Sequence, residues 1–290
     1  MEPCLFLSIN TFITDPLTHD FMRKALFMSS LVAAVCGFLS SYLTLKGWAL
    51  MGDAVSHSVM PGVVVAYALG LPFSLGAFIF GVGSVALIGF VKQKSRVKED
   101  TVIGLVFTGF FALGIVLVSK IKSNIDLHSI LFGSPLGISL SDVKQTVLIS
   151  LLVVILLSVF RKDLMLYCFD PRHAKTVGIN VLFLHYLLLT CLSLAAVVGL
   201  QTVGIILVVA MLITPGATAY LLTDQFDNMT IISVLSAIIS SVIGIYCSFW
   251  FDLETGGSIV LAQTFIFLFA FLFAPRYGIF KIKKLFSTYK

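Results

Sequence analysis

The residues best suited to chemistry in this chain are an acid and an imidazole, Asp53 and His57. They stand in the stretch Met51-Gly52-Asp53-Ala54-Val55-Ser56-His57-Ser58-Val59-Met60-Pro61-Gly62. Residues four apart lie one above the other on the same face of a helix, so the two side chains can point at one ligand. Oxygen together with imidazole nitrogen suits Mn²⁺, Fe²⁺ or Zn²⁺, whereas Ca²⁺ and Mg²⁺ favour all-oxygen shells. The pair therefore predicts half of a transition-metal site.

Pro61 could add a third donor. Because proline has no N–H, the carbonyl of His57 is expected to lose its helical partner and to lie beside the two side chains. Three donors are still too few for tight binding, but two copies of this helix across a symmetry axis would supply two Asp and two His. A second interpretation needs no metal: Asp53 would cap the helix that runs to Gly70, and His57 would bond to a carbonyl.

The composition indicates a polytopic membrane protein. Of the 290 residues, 59% are hydrophobic and 11% are charged, against about 25% charged in soluble domains. The mean hydropathy is +1.07. The net charge of +5 comes from clusters at the ends of apolar runs, so no nucleic-acid partner is expected. The five cysteines are scattered, which argues against a disulfide frame or a thiolate metal site.

The predicted fold is an all-α polytopic membrane protein with eight or nine transmembrane helices and a short cytoplasmic helix. A spanning helix needs about 20 apolar residues. The candidate spans are 21–45, 53–70, 73–91, 101–118, 142–160, 181–199, 203–222, 230–250 and 258–274. The count depends on whether the second candidate crosses the membrane completely.

Lys and Arg predict the orientation, because they accumulate on the cytoplasmic side. The basic segments 92–98, 161–175 and 276–290 belong there. Nine spans then put the N-terminus outside, which leaves Arg23 and Lys24 on the unexpected side. Segment 120–139, opposite the basic segments, is either an external contact surface for another protein or a re-entrant connector.

Three regions follow from this map. Residues 1–20 form an amphipathic lead on the membrane surface and not a cleaved signal peptide, since they lack a basic start and a continuous apolar centre. Residues 21–275 form the transmembrane domain, and residues 276–290 form a basic cytoplasmic tail.

A short helix is predicted between two spans on the cytoplasmic side. Asp170 suits the N-cap, Pro171 suits the first helical position, and Gly178 can adopt the left-handed conformation that ends a helix. The basic residues that the helix carries are Arg172, His173 and Lys175. A partner protein could bind this helix, or the helix could bind to lipid headgroups.

The stretch from Val181 to Thr223 contains no Asp, Glu, Lys or Arg and predicts a tight membrane hairpin. Its break lies at residues 198–204, which include Gln201. Pro215 removes a backbone bond to Met211 and predicts a kink, which occurs both in moving gates and in static packing. The candidate gate or hinge residues are Pro61, Gln201 and Pro215.

Three common active-site motifs of enzymes are missing from the sequence. It contains no His-Glu-x-x-His helix, no Gly-x-x-x-x-Gly-Lys-Ser/Thr phosphate loop and no Gly-x-Ser-x-Gly turn. The chain therefore has no motif with which to hydrolyse ATP, and active transport would need a partner or an ion gradient.

Four stretches together resemble the membrane permeases of bacterial ATP-binding-cassette importers for manganese, iron and zinc, over about Phe21 to Pro275. They are 51–62, Lys98-Glu99-Asp100-Thr101-Val102-Ile103-Gly104, Phe169-Asp170-Pro171 through Gly178-Ile179, and Val203-Gly204-Ile205-Ile206-Leu207-Val208-Val209-Ala210-Met211-Leu212-Ile213-Thr214-Pro215. The first stretch is the most specific.

This resemblance implies a multi-pass permease subunit in the bacterial inner membrane, not itself an enzyme. It would pair with an identical chain or a close paralogue, bind two cytoplasmic ATPase subunits, and receive metal from an external binding protein. No cofactor is implied beyond the transported Mn²⁺, Fe²⁺ or Zn²⁺, with ATP used by the partner, and the manganese and iron branch is the more similar. Asp53 and His57 would line the metal pathway, and 170–178 would be the coupling helix that contacts the ATPase.

Two other functions compete with import. A gradient-driven divalent-metal transporter would need more buried acids or an inverted repeat. An intramembrane metalloenzyme would need a third ligand and a water-activating base near Asp53 and His57. His185 is the spare imidazole in a predicted span.

Overall fold

The structure, a computed structural model, describes residues 15–120 and 140–274. In these two ranges the chain forms helices and no strands, which confirms the all-α prediction. Most of the N-terminal lead, the segment 121–139 and the basic tail lie outside the described residues.

Twelve helices follow a single helical turn at residues 15–18 in the described ranges. They are α1 (Asp20–Lys46), α2 (Ala49–Ser58), α3 (Met60–Ala68), α4 (Phe73–Lys94), α5 (Glu99–Lys120), α6 (Leu140–Val159), α7 (Arg161–Phe169), α8 (Pro171–Thr176), α9 (Val181–Val203), α10 (Ile205–Leu222), α11 (Phe226–Phe251) and α12 (Thr255–Phe273).

Six of these helices are long and apolar enough to cross a membrane: α1, α4, α5, α9, α11 and α12. A seventh span results if α6 and α7, which meet at a bend of 71°, are taken together. Helix α10 is apolar but shorter, and the predicted span 53–70 is divided between α2 and α3. Length and composition therefore support six or seven spans among the described residues, and the count of eight or nine stays a prediction.

The break between α2 and α3 lies at Val59, two residues before Pro61. Proline lacks the N–H that would continue the ladder, and it is well placed in the first turn of the next helix. The carbonyl of His57 accepts a hydrogen bond from the Val59 N–H instead. The carbonyl thus lacks its helical donor at position 61, but the prediction that it lies free beside the two side chains was wrong, because the chain turns locally and supplies another donor.

Helix α1 packs against α10 and α11, and these two helices also pack against each other and against α12. Gly37 allows the backbone of α11 to come close, and the Ser233 hydroxyl of α11 donates to the Gly37 carbonyl over 2.6 Å. Helix α9 contacts α1 and α10 on one side and α4 and α6 on another. Through α9, the group around α1 is joined to the helices that carry the acid and the imidazole.

Pro215 lies within α10, which continues through it from Ile205 to Leu222. Ser40 of α1 bonds to the backbone on both sides of this proline, since its hydroxyl accepts from the Gly216 N–H over 2.8 Å and donates to the Ile213 carbonyl over 3.3 Å. Buried backbone groups need such partners, because water is not available to replace them. Pro215 thus fixes α10 to α1.

Helices α9 and α10, the two arms of the predicted membrane hairpin, are connected by a single residue. Gly204 has φ 85° and ψ 164°, a conformation that is open almost exclusively to glycine. Gln201 belongs to the last turn of α9, beside this connection.

Helices α3 and α4 touch through their backbones. A Cβ added to Gly76 would lie 2.2 Å from the Gly62 carbonyl oxygen and 2.7 Å from the Ala66 Cβ, and one added to Gly62 would lie 2.2 Å from the Gly76 oxygen. Since backbone cannot move aside as a flexible side chain can, this crossing requires glycine at both positions.

We expect Gly76→Ala to lower the thermal unfolding temperature of the purified protein in detergent, because overpacking of this kind costs about 1–3 kcal/mol. Gly83→Ala is the matched control on the same helix, since a Cβ there meets nothing within 4 Å. Alanine also has the better helix propensity, so the control should be unchanged or slightly more stable. Equal unfolding temperatures for the two variants would contradict the close crossing.

Candidate functional site

Helix α2 is almost completely enclosed by the rest of the chain. It packs against α4, α5, α9 and α10, and between Met51 and Ser58 all residues are buried except two. Those two are Asp53 and His57, whose side chains are 34% and 19% exposed. The acid and the imidazole thus form the one stripe of this segment that reaches the edge of the bundle.

The two side chains face each other as their spacing predicts. The distance from His57 Nε2 to Asp53 Oδ1 is 3.3 Å. Two rings of α5 hold the imidazole edge-on, with centroids 5.1 Å away for Phe107 and 5.3 Å away for Phe111. These contacts restrict rotation of the imidazole and keep Nε2 next to the carboxylate, so a cation could contact both groups at once.

The described residues do not form the helix cap and the carbonyl bond that the metal-free interpretation assigned to this pair. Helix α2 begins at Ala49, so Asp53 lies inside the helix and does not cap it. The Nδ1 atom of His57 is buried, and no described residue gives it a hydrogen bond. The polar contact that the structure gives these two side chains is their contact with each other over 3.3 Å.

The pair remains a two-ligand set. No third His, Cys, Asp or Glu joins it to form a metal-binding group in the part of the chain that the structure describes. The hydroxyls of Ser56 and Ser58 donate to the carbonyls of Gly52 and Ala54, one turn earlier. The third ligand that a metalloenzyme would need is therefore not found among these residues.

His185 has a different role. Its Nδ1 lies 2.9 Å from the Tyr167 hydroxyl, and its ring meets that of Trp48 edge-on at 5.3 Å. It belongs to an aromatic cluster in which α7 and α9 meet Trp48, the residue just before α2.

Small residues allow neighbouring helices to close around the break that follows His57. Cβ atoms added to Gly81 and Gly114 would lie 3.3 Å from Val59 and Pro61, respectively. The backbone on both sides of the break is thus held by α4 and α5. Packing of this kind fixes the direction in which His57 and Asp53 point.

The short helix α8 forms as predicted. The Asp170 carboxylate accepts from the N–H groups of Arg172 over 2.9 Å and His173 over 3.1 Å, and Gly178 has φ 88°. These donated bonds, that of His173 foremost, lower the pKa of Asp170. Since a lowered pKa favours the charged form, the cap is present at neutral pH and is lost only as the pH falls through that lowered pKa.

Helix α8 presents most of its side chains outward. Ala174 is buried and anchors the helix on its inner side, whereas Arg172, His173 and Lys175 are exposed. Helices α7 and α9 contact it from behind. A rigid, basic projection of this kind is suited to contact with another protein.

Sequence reasoning overlooked the two phenylalanines that hold His57. Phe107 and Phe111 are four residues apart on α5, the spacing of one helical face, and that periodicity was available in the sequence. Nothing in the sequence, however, indicated that this face would meet α2.

Comparison with known proteins identifies the family. Residues 18–274 match the sequence profile of the ABC 3 transport family. The chain is 54% identical over 267 residues to the manganese transport system membrane protein MntB of Synechocystis sp., covering 92% of this chain and 87% of that protein. It is 47% identical over 261 residues to the chelated iron transport system membrane protein YfeD of Yersinia pestis, covering 90% and 88%.

A solved structure is similar over nearly the whole length. It is PsaBC from Streptococcus pneumoniae in complex with Fab, which matches with a TM-score of 0.86 and 39% identity, covering 95% of this chain and all of that one. Because the family profile spans nearly all of the chain and the sequence relatives match over nine tenths of it, this protein belongs to the ABC 3 transport family.

Proposed function

We propose that this chain is the membrane subunit of an ATP-driven importer for a divalent transition metal, with Mn²⁺ or Fe²⁺ as the favoured ion and Zn²⁺ as a further substrate. The observation that carries the proposal is that α2 buries every residue from Met51 to Ser58 except Asp53 and His57. Relatives named for manganese and chelated iron transport support the choice of ion. ATP hydrolysis belongs to a separate cytoplasmic subunit.

A second permease chain completes the metal site. Asp53 and His57 lie partly exposed at the edge of one chain, and an acid within an apolar bundle costs about 3 kcal/mol unless a partner or a polar cavity compensates it. Two α2 helices facing each other would bring two carboxylates and two imidazoles to one ion. The second chain is either identical or a close paralogue.

The same geometry suits release of the ion. Each chain offers only two side-chain ligands, which already interact with each other over 3.3 Å. When the metal leaves, Asp53 can pair again with His57, so the empty state is stabilised within each chain. A site of this kind would bind an ion transiently and let it pass.

Helix α8 is the proposed contact with the ATPase. Asp170, Pro171 and Gly178 shape it, and its exposed basic residues, Arg172 and His173 above all, would meet the partner. Because Ala174 and the neighbouring helices hold it from behind, a movement of the ATPase would be passed on to α7 and α9. Two such ATPase subunits would serve the pair of permease chains.

We further propose nine crossings, with the N-terminal end of α1 outside. Lys46 at the end of α1, Lys92 near the end of α4 and Lys175 on α8 line one cavity, so these points share a side of the membrane. By the distribution of positive charge that side is the cytoplasm. Helices α2 and α3 then cross together as one broken span, which leaves Arg23 and Lys24 outside.

The remaining proposals concern the two ends of the pathway. Metal would arrive from an external binding protein in the bacterial envelope, as the family resemblance implies. Pro61 and Gly204 mark the breaks in the membrane helices, and we assign the gate to the segments around Pro61, Gln201 and Pro215.

Metal uptake by cells should fall about tenfold or more in Asp53→Asn and in His57→Ala, because even the loss of a group that only orients a metal ligand typically costs about 10- to 100-fold, and these changes alter the ligands themselves. The measurement is initial uptake of Mn²⁺ and Fe²⁺ at matched membrane levels of the variants. Asp20→Asn is the control, since this acid is exposed at the start of α1 and pairs with Arg23. Normal uptake in both site variants would refute the proposed pathway.

Co-purification of the ATPase should weaken in Asp170→Ala, which removes the acceptor of two backbone N–H groups at the start of α8. Asp170→Asn keeps an N-cap oxygen of comparable quality and should restore assembly. Pull-down of the tagged permease and the ATPase rate of the complex are the measurements. If Asp170→Ala assembles as well as Asp170→Asn, the cap does not support the contact.

Cysteine labelling tests the nine crossings. With the five native cysteines replaced by serine, Lys24→Cys and Leu71→Cys should react with an impermeant maleimide in intact spheroplasts. Lys98→Cys, on the proposed cytoplasmic side, should react only after permeabilisation. Labelling of Lys24→Cys only after permeabilisation would put the start of α1 inside and exclude this topology.

A further inference from the structure

A cavity of about 790 Å³ lies where the ends of α1 and α4 meet α7, α8 and the start of α9. Three lysines line it, Lys46, Lys92 and Lys175, each from a different helix. None of its lining residues is acidic. We propose that this cavity binds an anionic phospholipid, with the lysines around the phosphate headgroup and the apolar wall along the upper acyl chains.

The chain itself positions Lys46. Its Nζ lies 4.1 Å from the centroid of the Tyr167 ring and 3.3 Å from the Tyr167 carbonyl oxygen. Neither the ring face nor the backbone oxygen carries a net charge, so these contacts do not neutralise the ammonium group. The ammonium group is therefore held at the wall of the cavity, where a phosphate can approach it.

The other walls combine aromatic and aliphatic side chains. Trp48, Tyr167 and His185 form one cluster, and Val85, Ile88, Leu182 and Leu189 line the cavity as well. Rings such as those of Trp and Tyr are typical of the level of lipid headgroups. A cationic pocket with an apolar wall at the cytoplasmic ends of membrane helices suits an anionic headgroup with its chains.

Free phosphate and the ATPase fit this cavity less well. Inorganic phosphate would use the lysines but not the aliphatic wall. The ATPase would meet α8 on its exposed basic side, where Arg172 and His173 do not line the cavity, whereas Lys175 and Pro171 do. Helix α8 thus has one side for the protein partner and another for lipid. A lipid held here would connect α8 to α1 and α4.

The inference uses the proposed orientation only to choose the inner leaflet, and its test does not involve metal. Trp48 lines the cavity, and the second of the two tryptophans, Trp250, lies near the far end of α11. In a Trp250→Phe variant of the full chain, Trp48 fluorescence therefore reports on the cavity. The protein is reconstituted into vesicles of phosphatidylcholine that contain brominated phosphatidylglycerol or, in parallel, brominated phosphatidylcholine.

We expect brominated phosphatidylglycerol to quench Trp48 more strongly than the same mole fraction of brominated phosphatidylcholine. The preference should be lost in Lys92→Gln/Lys175→Gln. It should persist in Lys98→Gln/Lys162→Gln, which removes the same charge from the same side at residues that do not line the cavity. Trp48→Phe, which keeps Trp250, should show no preference.

Three results would overturn the proposal. One is equal quenching of Trp48 by both lipids, which would assign the lysines to contact with the ATPase and not to an anionic lipid. The second is a preference that survives Lys92→Gln/Lys175→Gln. The third is loss of the preference when millimolar inorganic phosphate is added at constant ionic strength, which would assign the cavity to free phosphate. Each leaves the metal-transport proposal intact, because uptake depends on Asp53 and His57.

Discussion

The backbone of a membrane helix must find its hydrogen-bond partners within the protein, and the two prolines Pro61 and Pro215 meet this constraint differently. At Pro215 helix α10 stays one helix, and the Ser40 hydroxyl bonds its backbone on both sides of the proline and fixes it to α1. At Pro61 the chain divides into α2 and α3, and the His57 carbonyl accepts from the Val59 N–H. The break gives α2 an end within the bundle.

That end determines how the candidate metal site is built. Because α2 stops at Ser58, Asp53 and His57 occupy its last two turns, enclosed by α4, α5 and α10. Phe107 and Phe111 then hold the imidazole against the carboxylate. A pair that is rigid on one side and partly exposed on the other is suited to share an ion with a second chain, and too weak to retain it alone.

Helix α8 is exposed at the surface and, unlike α2, is not enclosed by other helices. Helix α8 is stabilised by its own sequence, through the Asp170 cap and Gly178, so it can project from the bundle and still keep its shape. Behind it, lysines from three helices converge on one cavity. Contact with a protein and contact with lipid would thus meet on a helix of six residues, which links the proposed coupling step to the membrane.

The sequence by itself determined the features that are local: the helical class, the break near Pro61, the glycine turn at Gly204, the caps of α8 and the spacing of Asp53 and His57. Only the tertiary structure decided which faces are buried. The most apolar stretch of α5 has a mean hydropathy of 2.5, yet only 22% of it is buried within the protein. The corresponding stretch of α1 is less apolar, with a mean hydropathy of 1.8, yet 67% of it is buried. Lipid is as apolar as a protein core, so hydrophobicity cannot distinguish the two environments. For this reason the enclosure of α2, the rings beside His57 and the meeting of Lys46, Lys92 and Lys175 depend on contacts between distant residues, which the order of residues along the chain does not contain.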